Sequence, residues 1–232
     1  MKFFSDVFKK PNNQKIYIDS LSKYREALNN DSSAKKEILE GLLPQLTPLV
    51  TPRTSSSDIN IQRLVGLIHF HLGDYKKSVE INTELSEASN SPRDWFNLMA
   101  AALLGELFTV GDEAYSKGLE ALKNRETNEQ MNAAGFKFHY GRINLDAHRP
   151  KAAFEALLDL SETYKNRHIT DYHFLRVRGL PDFEEFLKLF IESIVQTGQQ
   201  SQLQTLLDGI RSEVDEEGKI SVDRALAEHK TQ

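Results

Sequence analysis

Apolar residues recur every three or four positions through most of this chain, and the periodic segments come in pairs separated by turns of two or three residues. Helices joined that tightly must fold back on one another, which limits the chain to antiparallel helical hairpins. From Lys15 to Leu28, the residues Ile16, Tyr17, Leu21, Tyr24 and Leu28 share one side, and Asn29-Asn30-Asp31 ends the helix. Ser33 to Leu43 supplies its partner through Ile38, Leu39, Leu42 and Leu43. Asp58 caps a helix predicted to run to Leu72, Gly73-Asp74 turns the chain, and Tyr75 to Ser89 returns it.

The same order is predicted twice more. One hairpin joins Asp94 to about Val110 with Glu113 to Lys123 through Gly111-Asp112. The other joins Asn128 to Ala147 with Lys151 to Tyr164 through His148-Arg149-Pro150. Pro181 then opens a helix with a Phe183, Phe186, Leu187, Phe190 and Ile194 stripe, followed by one from Gln200 to Val214. The reading gives an N-terminal hairpin over 1–50, a Pro- and Ser-rich linker over 51–57, repeats over 58–165 and capping helices over 166–214. It ends in a polar tail, 215–232, expected to fray or be disordered. A domain boundary is expected near the linker.

Three hairpins in a row are a solenoid signature. Val65-Gly66, Gly73-Asp74-Tyr75 and Ser78 resemble the tetratricopeptide repeat (TPR) in spacing, with small residues where two helices must cross closely. Ala100 lies one 34-residue period after Gly66, and Trp95 and Leu98 repeat the family's Trp, two residues, Leu pattern. Tyr140-Gly141, Pro150, Ala153 and Leu157 give a looser third unit. Gly141 falls 41 residues after Ala100, so the middle unit is expected to be longer, by two extra helical turns. Asn82 stands at an aromatic position of the repeat and Asn90 at its closing proline, with Pro92 two residues later. The resemblance spans about 59–165. It implies an all-α, helical-hairpin, TPR-like right-handed solenoid with extra N- and C-terminal helices.

It also implies a concave face lined by the first helix of each hairpin, where a protein or peptide docks. Aligned on the repeat, that face carries Asn60, Arg63, Leu67, Phe70 and His71 in the first unit. The second unit contributes Asp94, Asn97, Ala101 and Leu104, and the third Phe138, Arg142, Leu145 and Asp146. Arg63, Asn97 and Arg142 together are candidates to hold a partner's carboxylate, although Leu67 stands where carboxylate-gripping members carry Asn.

Composition narrows the chemistry. The 29 basic and 34 acidic residues give a net charge of −5, without the excess of positive charge that tracks a phosphate backbone. There is no cysteine, which removes disulfides, thiolate metal sites and thiol nucleophiles and fits a reducing compartment. His69 and His71 are two apart and point roughly 200° from each other on a helix, so they cannot share a metal. No phosphate-binding glycine loop or hydrolase elbow occurs. Ser20-Leu21-Ser22-Lys23 and Ser33-Ala34-Lys35-Lys36 match Ser-x-x-Lys only by composition, and Glu184-Glu185 and Glu216-Glu217 read as solvated charge. No catalytic residue, metal or cofactor is assigned.

The expectation is therefore a cytoplasmic adaptor or chaperone-like module, not an enzyme. Two rivals stand beside it. One is a regulatory domain taking a small ligand or nucleic acid through the basic, aromatic stretch Arg167 to Arg178. The other is an enzyme whose site the sequence does not reveal. No transmembrane run is present. The N-terminal Phe3, Phe4, Val7 and Phe8 with Lys2, Lys9 and Lys10 are expected to pack on the first hairpin, or to touch a membrane surface.

Overall fold

The computed structural model describes residues 10–50, 56–123 and 132–230, and the described residues form twelve α-helices and one 3-10 turn. The helices are α1 (Lys10–Ala27), α2 (Ser32–Leu46), α3 (Ser56–His71), α4 (Tyr75–Ser89), α5 (Pro92–Leu104) and α6 (Phe108–Lys123). They continue as α7 (Ala133–Asp146), α8 (Pro150–Arg167), α9 (Tyr172–Val177), α10 (Phe183–Gln196), α11 (Gln200–Arg211) and α12 (Glu216–Lys230). The segments 1–9 and 51–55, with the expected N-terminal contact and most of the expected linker, lie outside the described residues.

One turn design closes each repeat-like hairpin. A residue in the left-handed region (Gly73, Glu106, His148, Gly198) is followed by one whose N–H reaches the carbonyl five residues back. These bonds run from Asp74 to His69 (2.9 Å), Leu107 to Ala102 (2.8 Å), Arg149 to Asn144 (2.8 Å) and Gln199 to Ile194 (3.0 Å). The motif satisfies carbonyls that a helix end otherwise orphans and reverses the chain within two residues. By this criterion α10 and α11 form a fourth hairpin of the same make.

The turn also corrects the middle unit. Its helices meet at Gly105-Glu106-Leu107, whereas Gly111-Asp112 lies inside α6. Gly111 is a crossing residue: a Cβ there would lie 2.6 Å from the Leu103 side chain. It thus occupies the place that Ser78 and Ala153 hold three residues after the helix starts at Tyr75 and Pro150. Ser78 uses its hydroxyl there, donating to the Gly66 carbonyl at 3.0 Å. The extra length of the unit is not in α5, which spans 13 residues, and residues 124–131, which follow α6, lie outside the described residues.

The chain divides into two compact units, residues 1–111 and 112–232. In the first, α1 and α2 pack on each other and on α3, α3 packs on α4, and α4 on α5. Tyr24, Leu39, Leu42 and Leu46 share one apolar core with Ile61, Leu64, Val65 and Ile68. The N-terminal hairpin and the first repeat are therefore joined by a common core, and the boundary expected near 51–57 falls elsewhere. Helix α5 is buried almost all round, from Leu98 through Leu103, as expected of a helix with neighbours on several sides.

In the second unit α7 pairs with α8, and α10 packs against α7, α8, α11 and α12. Its core holds a column of rings. Tyr164 lies 4.8 Å from Phe186, Phe186 lies 5.5 Å from Phe190, and Phe190 lies 5.9 Å from Phe154. Glycine makes room for a ring here too: a Cβ at Gly118 of α6 would lie 2.3 Å from Phe136 of α7. The expected polar tail is instead helix α12, because Val222 and Leu226, four apart, bury one stripe in this core. Asp215 starts that helix by accepting the Gly218 N–H at 3.0 Å, and it also takes the Thr170 N–H at 2.9 Å.

Two carboxylates of the second unit are held below their ordinary range. Burial pushes the carboxyl of Asp215 up, but the Thr170 hydroxyl and the Thr170 and Gly218 N–H groups outweigh it. For Asp112, burial is likewise outweighed, here by Arg149 (2.7 and 2.9 Å) and the Tyr140 hydroxyl (2.6 Å). A carboxyl depressed on folding adds stability above its unfolded value, about 3.9, and loses it as pH falls through the folded value. Thermal melts below about pH 4 should therefore show a steep loss. Asp112→Asn and Asp215→Asn should be less stable at pH 7 and show a smaller drop in acid.

Candidate functional site

The residues expected on a concave face divide between the two units. In the first unit Arg63 does hold a carboxylate, and it is the chain's own. Its Nε and Nη2 donate to Asp94 Oδ1 and Oδ2 at 2.8 and 2.7 Å, and Nη1 donates to Asn60 Oδ1 at 3.3 Å. Asp94 is 0% exposed and also accepts the Ser89 hydroxyl at 2.6 Å. The pair ties α3 to the start of α5, and the hydrogen bond from Arg63 to Asp94 outweighs burial in raising the guanidinium's pKa further.

Leu67, Phe70 and Asn97 are half-buried. Among the described residues no acceptor reaches the buried Nδ2 of Asn97. Ala101 is fully buried, so neither it nor Asp94 is part of an open surface. His71 packs between Tyr24 and Phe70, and burial, with Lys35 nearby, holds its imidazole below the ordinary value.

In the second unit Phe138 and Leu145 are corrected in the same way. At 4% exposed each belongs to the core, because that side of α7 faces α8 and α10. Arg142 covers the Phe138 ring, its guanidinium 5.5 Å from the centroid, and pairs with Glu185 of α10. Asp146 is exposed.

A groove of about 420 Å³ opens at this point, walled by α7, α9 and the start of α10. Arg142 and His139 stand on one wall and Tyr172 and Arg176 on the other, with Leu180 and Pro181 beneath. Its walls are fixed by short-range chemistry. Asp171 caps α9 by accepting the Phe174 N–H at 2.7 Å, and Asp182 caps α10 by accepting that of Glu185 at 2.9 Å. Asn132, which caps α7, also donates to the carbonyls of Arg178 and Gly179 at 3.1 and 2.9 Å. The end of α9 is thus pinned to the start of α7. His139 is held below the ordinary imidazole value by the buried part of its ring and by Arg142, against the pull of Glu185.

Both carboxylates of the groove are engaged within the chain, Asp182 as a cap and Glu185 by Arg142. Among the described residues the guanidinium of Arg176 is left without such a partner. Phe138, Arg142 and the Arg167 to Arg178 stretch, read from sequence as two separate candidates, meet here. Glu185 was missed because two adjacent acids look like solvated charge, and only the packing of α7 on α10 brings it to Arg142.

A longer groove of about 870 Å³ runs along α10 and α12, but its Glu184 is taken up by Ser221 (3.1 Å) and Arg224 (2.9 Å). Among the described residues no group of three His, Asp or Glu side chains converges as metal ligands, and no helix is long and apolar enough to cross a membrane.

No family model matches the chain. Solved structures do share its fold. One is a Podosopora anserina protein described as a kinesin light chain with nearly identical TPR-like repeats, at 15% identity and TM-score 0.58, covering 86% of this chain and 95% of that one. A single-substitution variant of that protein matches at 14% identity and TM-score 0.60, with 86% and 94% covered. The chain is an all-helical protein of TPR-like fold.

Proposed function

We propose that this chain is a non-catalytic, cytoplasmic interaction module that holds a segment of a partner protein in the groove between α7, α9 and α10. The observation that carries this reading is the pairing of a pre-formed cleft with an arginine, Arg176, that the groove's own carboxylates leave uncompensated. A groove of about 420 Å³ has room for a few side chains of a peptide, and its capped, cross-braced walls would lose little entropy on binding. The TPR-like fold adds support, since helical-repeat arrays commonly present elongated binding surfaces. The cysteine-free composition suits a reducing compartment.

Affinity purification from the native cell with mass spectrometry tests the proposal. Arg142→Ala and Tyr172→Ala should each deplete the partners retained by the wild-type chain. Ile18→Glu, at an exposed residue of α1 in the first unit, should retain them. Unchanged partners in both groove variants, with their helical content intact, would sink it.

A further inference from the structure

We infer that the groove and the α9 surface beside it recognise an acidic segment carrying a bulky apolar side chain; this rests on the reading of that groove as the partner site. The chain is acidic overall, at −5, yet Lys165, Arg167, Arg176 and Arg178 face a single acid, Asp171, within residues 165–178. Asp171 is spent on capping α9 and Lys165 on Glu162. The guanidinium of Arg178 lies 5.5 Å over the Phe174 ring, while that of Arg176 has no partner among the described residues and lines the groove. A local cationic surface on an acidic protein selects its ligand by charge and steers the encounter.

The same stretch exposes apolar area. Ile169 is 38%, Tyr172 49% and Val177 85% exposed, three of the seven large apolar residues left exposed among the described ones. Six-residue α9 cannot bury Tyr172 and Val177 together with Leu175, which faces the core at 1% exposed. Apolar side chains interleaved with arginines match a segment that alternates carboxylates with an aliphatic or aromatic residue. An RNA fits less well. Ile169 and Val177 offer no stacking face for bases.

The full chain should be used to select binders from a phage-displayed library of random dodecapeptides. Enriched peptides should carry two or more acidic residues beside a bulky apolar one. Arg176→Glu and, separately, Val177→Asp should each weaken the best of them by at least about tenfold. Affinity should also fall several-fold between about 50 and 300 mM salt. Both positions are exposed, so helicity and melting should match wild type.

Neutral or basic binders, or acidic ones indifferent to both variants, would overturn the inference. It would leave the groove reading standing if Arg142→Ala still abolished binding. Retention of a fluorescent oligouridylate in place of any peptide, lost in Arg176→Glu, would overturn it in favour of nucleic acid. Absence of any binder would overturn both readings.

Discussion

Phe186→Ala is expected to cost the second unit about 3–5 kcal/mol, the range for removing a ring from a closed core. Phe186 is 0% exposed and sits between Tyr164 at 4.8 Å, Phe190 at 5.5 Å and Phe183 at 6.0 Å, so its loss opens a cavity inside the aromatic column. The neighbours cannot close it. Tyr164 is anchored by its hydroxyl to the Pro181 carbonyl at 2.8 Å, and burial raises its phenol pKa well above the ordinary value. Urea unfolding followed by far-UV circular dichroism should show the loss, and Phe186→Leu should recover part of it. A cost under about 1 kcal/mol would mean that the column does not organise this unit.

Arg63→Ala is expected to destabilise the first unit by about 3 kcal/mol, the lower end for breaking a buried ion pair, because the guanidinium keeps a fifth of its exposure. The cost comes chiefly from what is left behind: Asp94, with no exposure, would retain only Ser89 as a side-chain donor. The readout is local. Trp95, the chain's one tryptophan, is the next residue and donates from Nε1 to Asn90 Oδ1 at 2.9 Å. Tryptophan fluorescence should therefore report an earlier unfolding midpoint in Arg63→Ala. The double variant Arg63→Ala with Asp94→Ala should be less damaged than the sum of the singles. Additive losses would argue against the pair.

What could be read from the sequence follows from how local each signal is. Gly73 marked its turn because glycine accepts the left-handed backbone without strain, and the helix ends beside that turn were placed within one residue, whereas α3 starts at Ser56 and so takes in Asp58, which was expected to cap it. Glu106 takes the same backbone with φ of 60° and carries no such mark, while Gly111-Asp112 five residues on imitates a turn. Only the packing of Gly111 on Leu103 reveals that this glycine serves a helix crossing. The tail escaped for a related reason. Val222 and Leu226 are too few to announce an amphipathic helix until α10 and α11 give them a surface.

The candidate site was legible in pieces. Arg63 and Arg142 stood out as arginines on first helices, but an arginine in a sequence does not show whether its carboxylate belongs to the chain or to a partner. The structure pairs Arg63 with Asp94 and Arg142 with Glu185, 31 and 43 positions away. The stretch 167–178 drew notice for its charge and rings. Its apolar exposure was not foreseen, because aromatics at helical spacing usually fill cores and α9 is too short to bury them all.

The most direct measurement is hydrogen–deuterium exchange on the full chain with and without the partner recovered by affinity purification. Protection should appear in the segments 135–142 and 169–185, which form the groove and the α9 surface. Protection confined to α3 and α5 of the first unit, or none in the second, would contradict the account.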